Sequence, residues 1–406
     1  MDFKTYAKSY QNTICLELDR VKALLERCGN PDSKLEIVHV AGTNGKGSVC
    51  SFICEGLAFD GKKCGRFSSP ELFDVTDTIS INSQSITSAE LDSLYEYLAP
   101  HCSEIEAKYG KAPSQFEINF AAALCYFVGQ GCTHAVIECG MGGLGDATNA
   151  IGDSSVSVIT KISLDHEAYL GDTVQKIAAN KCGIFKKSSS VFIADQNDDV
   201  IDTARALADG RPFCVVPPLP SLSSDGMHQV VSVGNESVRL SLAGIHQRDN
   251  ASLAAAVLSH MGAGVESIKY ALEHARNRAR LERIDDNVYF DGAHNPDGIM
   301  SLIHTINQAD IKGKIIFAAG FMADKDYKRA LSCLDKLNNR NFELYTTAVR
   351  SNPRSESAKA LAECARSLGF RAKEFDNIRA ALEQAKSNAD TVFVIGSLYM
   401  YKEVMI

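Results

Sequence analysis

Between residues 37 and 59 an apolar run breaks into a glycine-rich turn and resumes as a helical pattern, and few folds accommodate that order. Ile37 to Ala41 reads as a buried parallel strand, and Ser48 to Phe59 carries apolar residues at helical spacing. In the turn Gly42-Thr43-Asn44-Gly45-Lys46-Gly47-Ser48, the glycines let successive backbone N–H groups face one anion. Lys46 can reach the outer phosphates of a nucleotide, and a hydroxyl from Ser48 or Thr43 can hold Mg²⁺. The general spacing for such a loop is Gly, four residues, then Gly-Lys-Ser/Thr; here Gly47 intervenes between Lys46 and Ser48.

A chain of 406 residues suits about two domains. The net charge of −8 and the absence of a basic stripe argue against nucleic acid as a partner. No apolar run nears the roughly 20 residues needed to span a bilayer, so no membrane partner is expected. Thirteen cysteines without a Cys-x-x-Cys pair in a long chain read as thiols in a reducing cytoplasm rather than as a disulfide framework.

Further along, Thr87-Ser88-Ala89-Glu90 is a capping box that starts a helix reaching about Tyr109, and Ser114 to Glu117 opens another. The stripe Phe116, Phe120, Ala123, Leu124, Phe127 reads as core. His134 to Glu138 is an apolar strand ending on a carboxylate, followed by Cys139-Gly140-Met141-Gly142-Gly143. Open α/β sheets put ligands at that end of a strand, and an unpaired buried carboxylate is costly, so Glu138 calls for a cation such as Mg²⁺. Val156 to Thr160 reads as the next strand. Gly234-Asn235 centres a hairpin over 228–242, and helices are expected at 248–261 and 264–277. Val288 to Phe290 leads into a helix beginning near Pro296, and strands near 314–318, 342–346 and 391–395 alternate with helical stretches, the pattern of a doubly wound α/β unit. Residues 1–34 look helical, with Gly29-Asn30-Pro31 as the stop.

The loop Gly-Thr-Asn-Gly-Lys-Gly-Ser (42–48) together with Asp-Gly-Ala-His-Asn-Pro (291–296) resembles the Mur ligase superfamily, and within it the folylpolyglutamate synthase and dihydrofolate synthase branch. The resemblance is carried further by Gly-Met-Gly-Gly-Leu-Gly-Asp-Ala-Thr-Asn (140–149), Leu-Asp-His (164–166) and Gly-Ile-His-Gln (244–247). It implies an N-terminal P-loop ATPase domain of Mur ligase type with a parallel sheet over residues 1–279, and a C-terminal Rossmann-like α/β ligase domain over 280–406. It also implies site residues. Lys46, His166 and Lys181 would be catalytic, with Lys181 at the position of a carbamylated lysine. Gly42, Thr43, Asn44, Gly45, Lys46, Gly47, Ser48, Gln247, Asn250, Arg280, Asp291 and His294 would hold ATP, while Ser48, Ser69, Glu138 and His166 would hold magnesium.

Some positions depart from the family pattern. Glu71 stands for His, Asp74 for a basic residue, Asp77-Thr78 for Glu-Arg, Leu144 for Arg and Asn180 for Glu. The resemblance implies a cytoplasmic, monomeric ligase that uses ATP to join L-glutamate to a folate or a pteroate-like acid through an acyl phosphate. Two alternatives stay open: a related ligase joining a different acid and amine, motivated by those departures, and a P-loop nucleotide switch.

Overall fold

The computed structural model describes residues 17–406, and the chain falls into two compact units, 1–219 with 249–275 and 220–248 with 276–406. In the first, strands β1 (Glu36–Ala41), β2 (Cys64–Phe67), β3 (Ile79–Ile81), β4 (Gln84–Ser85), β5 (His134–Glu138), β6 (Val156–Ile159), β7 (Ser190–Ala194) and β8 (Phe213–Val216) form one sheet. Its order is β4-β3-β2-β5-β1-β6-β7-β8. Pairing from β2 through β8 is parallel, and only β3 and β4 run antiparallel at the edge. Every residue of β5 and β6 is buried, as in a parallel sheet whose faces are both covered by helices.

The strand order reverses at β1. The chain lays β2 and β5 on one side of it, then crosses to β6 on the other, so the carboxyl ends of β5, β1 and β6 open on a switch point. Register keeps those ends level: Val40 pairs with Glu138, and Ala41 with Ile159.

Helix Lys46–Phe59 buries Val49, Phe52, Ile53 and Leu57, each contributing about 1.5–3 kcal/mol. Gly56 lets other helices approach closely, because a Cβ there would lie 2.6 Å from Leu258 and 3.2 Å from Ala271. The capping boxes at Thr87 and Ser114 form as the sequence indicates and start helices Ser88–Tyr109 and Gln115–Gly129. The amino-terminal stretch stops at Gly29-Asn30-Pro31, as the sequence indicates. Helix Asp19–Arg27 is followed by a left-handed Asn30 and a short 3-10 turn from Pro31, and residues 1–16 of that expectation lie outside the described residues.

The second unit holds two sheets. Strands β9 (Ser221–Ser224), β10 (Gln229–Val233) and β11 (Glu236–Arg239) are antiparallel. Strands β12 (Glu282–Asp285), β13 (Val288–Phe290), β14 (Ile315–Ala319), β15 (Phe342–Thr346), β16 (Ala372–Glu374) and β17 (Thr391–Ile395) form a sheet of order β12-β13-β17-β14-β15-β16, parallel apart from β12. Helix Pro296–Gln308 starts on an Asn295 cap, whose Oδ1 accepts from Gly298 N at 2.8 Å, with Pro296 at the first helical position.

The division differs from the continuous 1–279 stretch expected of the first domain. Residues 220–248 group with the second unit because they are anchored on helix Pro296–Gln308. Ile245 N donates to Thr305 Oγ1 at 3.2 Å, and a Cβ on Gly226 would stand 2.4 Å from Ala309 N. Among the described residues no helix is long and apolar enough to cross a membrane.

Candidate active site

In the first unit the site begins where β1 ends. Gly42 takes φ +152° and its missing side chain is needed: a Cβ would sit 1.8 Å from Thr160 Oγ1. Gly45 (φ +93°) is likewise required, because Asn250 Oδ1 would lie 2.2 Å from a Cβ there. That contact brings Asn250 to the loop across two hundred residues of chain. The loop backbone is sewn to the end of β6: Thr43 N donates to Lys161 O at 2.8 Å, and Thr160 Oγ1 to Asn44 O at 2.7 Å.

Gly45 precedes helix Lys46–Phe59 without any side-chain cap, and the first turn carries no acidic residue. Gly45 thus gives this 14-residue helix no side-chain cap of its own, and the amino end of a helix is where an anion is favoured. Arg66 braces that turn, donating to Ser51 Oγ at 2.7 Å and Gly47 O at 3.3 Å. Lys46 Nζ folds back to donate to Gly42 O at 3.2 Å and Thr43 O at 3.1 Å.

Lys181, only 4% exposed, projects from helix Val174–Cys182 and donates to the same Gly42 carbonyl at 2.8 Å. Burial, then the nearby Lys46 cation, lower its pKa to about 7. Asn180 holds the loop after β5, with its Oδ1 accepting from Gly143 N and its backbone O from Leu144 N.

Glu138 is buried at the end of β5. Behind it lies a network that sequence reasoning missed. His39 Nε2 is 2.9 Å from Thr148 Oγ1 and 3.2 Å from Cys139 Sγ, and Thr148 donates to Asp146 Oδ1 at 2.5 Å. Asp146 also accepts from Met141 N at 2.7 Å, which folds the 139–146 loop upon itself. Burial above all, then Lys186, drives the His39 pKa down to about 3, so the imidazole is neutral. His166 sits just past β6 in a left-handed conformation, φ 53°, with its N–H donating to Asp165 Oδ1 at 2.8 Å.

Ser69 and His166 thus lie beyond the ends of β2 and β6, and Glu138 is the last residue of β5. Among the described residues no group of three or more His, Cys, Asp or Glu side chains clusters closely enough to hold a metal unaided. With Ser48 of the phosphate loop the expected donors are two hydroxyls, one carboxylate and one imidazole, a set whose chemistry suits Mg²⁺, which keeps several waters and takes phosphate oxygens as ligands.

In the second unit Asp291 follows β13, buried, accepting from Leu281 N at 3.0 Å and Ala293 N at 2.7 Å. Burial raises its pKa, against the pull of His246 and Arg280. Arg280 lies over Gly292, where a Cβ would stand 3.1 Å from Nη1, and His294 Nδ1 is 2.9 Å from Gly292 O. Gln247 is fully buried beside His246, 3.1 Å away. The structure so brings Arg280, Asp291 and His294 together in this unit, and Gly42–Ser48, Lys181 and Asn250 in the other. In the same unit Arg354 Nη1 pairs with Asp324 at 3.0 Å, and Nη2 lies 3.5 Å from the Tyr399 hydroxyl.

Known proteins resemble this arrangement. The Mur ligase middle domain matches residues 40–217, and the Mur ligase glutamate ligase domain matches 279–398. The chain is 30% identical to the dihydrofolate synthase/folylpolyglutamate synthase of Bacillus subtilis, over 95% of this chain and 94% of that one. Folylpolyglutamate synthase of Mycobacterium tuberculosis, solved with ADP and AMPPCP, superposes with a TM-score of 0.88 at 28% identity, covering 99% of this chain and 96% of the other. FolC of E. coli, solved with DHPP and ADP, gives a TM-score of 0.85 at 26% identity, covering 100% and 97%. With both halves matched and a relative this similar along nearly its whole length, the chain belongs to the folylpolyglutamate synthase/dihydrofolate synthase family of Mur ligases.

Proposed function

We propose that this chain is an ATP-dependent ligase that joins L-glutamate to a folate or pteroate-type acid, working as a monomer in the cytoplasm. The observation that carries the reading is the meeting of two lysines on one carbonyl, Lys46 and Lys181 on Gly42 O, at the foot of helix Lys46–Phe59. Cationic and N–H groups held ready at a strand end serve phosphoryl transfer, in which catalysis is positioning and charge neutralisation. The described cysteines are free thiols, which accords with a reducing compartment.

The acid's carboxylate oxygen attacks the γ-phosphorus of ATP, the bond to the β-phosphate oxygen breaks, and ADP leaves with that electron pair. The glutamate amine then attacks the acyl carbon, the amine proton is lost, and inorganic phosphate departs. Lys46 leaves its two loop carbonyls for the phosphates, and the N–H groups of 45–48 bind the β-phosphate. Asn250, beside the loop, offers its amide to the nucleotide, and Gln247, Arg280, Asp291 and His294 are the further nucleotide-binding residues that the family resemblance implies. Ser48, Ser69, Glu138 and His166 would hold Mg²⁺, which neutralises phosphate charge when bound. At a pKa of about 7, roughly half of Lys181 is an uncharged amine at neutral pH, the form that carbon dioxide carbamylates.

The test is ADP release measured with each component left out in turn. ADP release that needs the acid and grows further with L-glutamate is the expected result; release indifferent to both would mark a nucleotide switch, the second reading left open by the sequence.

A further inference from the structure

Strand β15, Phe-Glu-Leu-Tyr-Thr, is buried along its whole length, and Glu343 is its one charged residue. A carboxylate taken out of water needs positive partners. Three gather on it: Lys314 Nζ lies 3.1 Å and Arg371 Nη1 3.6 Å from Oε1, and Lys373 Nζ lies 4.0 Å from Oε2. Parallel pairing explains the meeting, because Lys314 precedes β14, Arg371 precedes β16, and Glu343 is the second residue of β15. They stand at the amino-terminal edge of the sheet, the end away from Asp291, which follows β13.

One lysine is enough to neutralise one carboxylate, so the remaining cations call for another partner. Glu343, Arg366, Phe370, Arg371, Ala372 and Lys373 line an open recess of about 380 Å³, the small end of the range for ligand sites. Phe370 rests on the Phe342 ring at 5.3 Å. Arg366 directs Nη2 to Ala372 O at 3.1 Å and Glu374 Oε1 at 3.0 Å. The lining therefore holds three cations and one carboxylate. Carboxylates just outside it are engaged, Glu374 by Arg366, and Asp390 Oδ2 by Lys314 N at 2.7 Å.

A second observation narrows the chemistry. Glu343 is only 8% exposed, and its Oε2 accepts no hydrogen bond among the described residues, Lys373 standing too far off at 4.0 Å. A buried acceptor left without a donor costs free energy that a donating ligand would return. The recess thus offers an anion several cationic N–H groups and, beside them, an oxygen that takes a proton donor. Inorganic phosphate meets both conditions, since its oxygens fit the arginine fork and it keeps at least one O–H at neutral pH. Sulfate keeps none, and a phosphate monoester has lost its own by pH 8.

We propose that this recess binds inorganic phosphate, whose O–H donates to Glu343 Oε2 while its other oxygens accept from Arg371, Lys373 and Arg366. The site lies outside the ligase reading and does not depend on it. The side chains of Arg366, Arg371 and Lys373 are 48%, 66% and 54% exposed, so their attraction is modest and the dissociation constant is on the order of 1 mM.

Calorimetry tests the proposal on the full chain at pH 8, with Mg²⁺ and a non-hydrolysable ATP analogue filling the nucleotide site. Phosphate, sulfate and methyl phosphate are titrated in turn. Phosphate should bind with a dissociation constant of about 1 mM, and the other two at least roughly fivefold more weakly. Arg371→Ala alters an exposed side chain, so it should release ADP as the parent does while losing at least roughly fivefold in phosphate affinity. Glu343→Gln gives the recess an amide that can donate to either anion, and should bring phosphate and sulfate within about twofold of each other. Three results would overturn the proposal: no heat with phosphate, equal affinity for phosphate and sulfate in the parent, or phosphate binding that Arg371→Ala leaves unchanged. A Glu343→Gln chain that melts like the parent and still prefers phosphate would overturn it as well.

Discussion

Replacing Lys181 by methionine separates what this residue costs the fold from what it does in the site. The amine is buried, and its pKa stands at about 7 against 10.5 in the unfolded chain. Folding therefore opposes its ordinary charged state by on the order of 4 kcal/mol at pH 7. Methionine keeps an unbranched chain of similar volume and removes that cost. It also removes the donor to Gly42 O, a loss of about 1–2 kcal/mol. Part of that loss is cushioned, because Lys46 Nζ still donates to the same oxygen. Lys181→Met should accordingly be more stable than the parent at pH 7, by on the order of 2 kcal/mol, while turnover falls at least about a hundredfold. Because the folded-state pKa is the lower one, the unfolded chain binds more protons between pH 7 and 10.5, and stability of the parent rises through that window. The advantage of the variant should shrink as pH approaches 10. Urea denaturation in carbon-dioxide-free buffers from pH 7 to 10, beside ADP release, measures both quantities. A variant less stable than the parent at pH 7, or an advantage that does not change with pH, would refute the reasoning.

Other expectations follow from single contacts. Lys46→Ala should lower turnover roughly 100- to 1000-fold with an unchanged thermal melt, and full activity would contradict the role given to the loop. Gly42→Ala drives a Cβ into Thr160, so ADP affinity, followed by calorimetry, should drop at least about tenfold, and adding Thr160→Ala should recover part of it. His39, with a folded pKa of about 3, binds fewer protons than the unfolded chain below pH 6.5, so its contribution falls by about 2 kcal/mol between pH 7 and pH 5. In His39→Gln the acid limb of the stability profile, read by urea denaturation, should be shallower by that amount. Asn295→Ala removes the cap of helix Pro296–Gln308 and should cost about 1 kcal/mol, read from the same denaturation.

What the sequence made legible is local, and what it hid depends on contacts between distant segments. The strand ending on Glu138, the two capping boxes, the strands at 342–346 and 391–395 and the helix at Pro296 could all be read because a period or a cap within about ten residues decides each. Strands β12 and β16 could not: they are short sheet edges, largely exposed and polar, so neither alternation nor an apolar run marks them. The hairpin at 229–239 was visible through Gly234-Asn235, but its allegiance to the second unit was not, since that rests on Thr305 and Ala309, sixty residues or more away. The site follows the same division. Glycines and Lys46 announce the phosphate loop by spacing alone, whereas the reason Gly42 must be glycine is Thr160, and the reason for Gly45 is Asn250. Lys181 shows the difference most plainly. Its position was marked only through resemblance, yet the property that gives it chemistry, an amine titrating near neutrality, arises from burial and from Lys46 after the chain has folded. A motif can name such a lysine, but only the packed environment makes it reactive, so a variant that restores exposure around helix Val174–Cys182 should return its pKa toward that of an ordinary lysine while leaving the motif untouched.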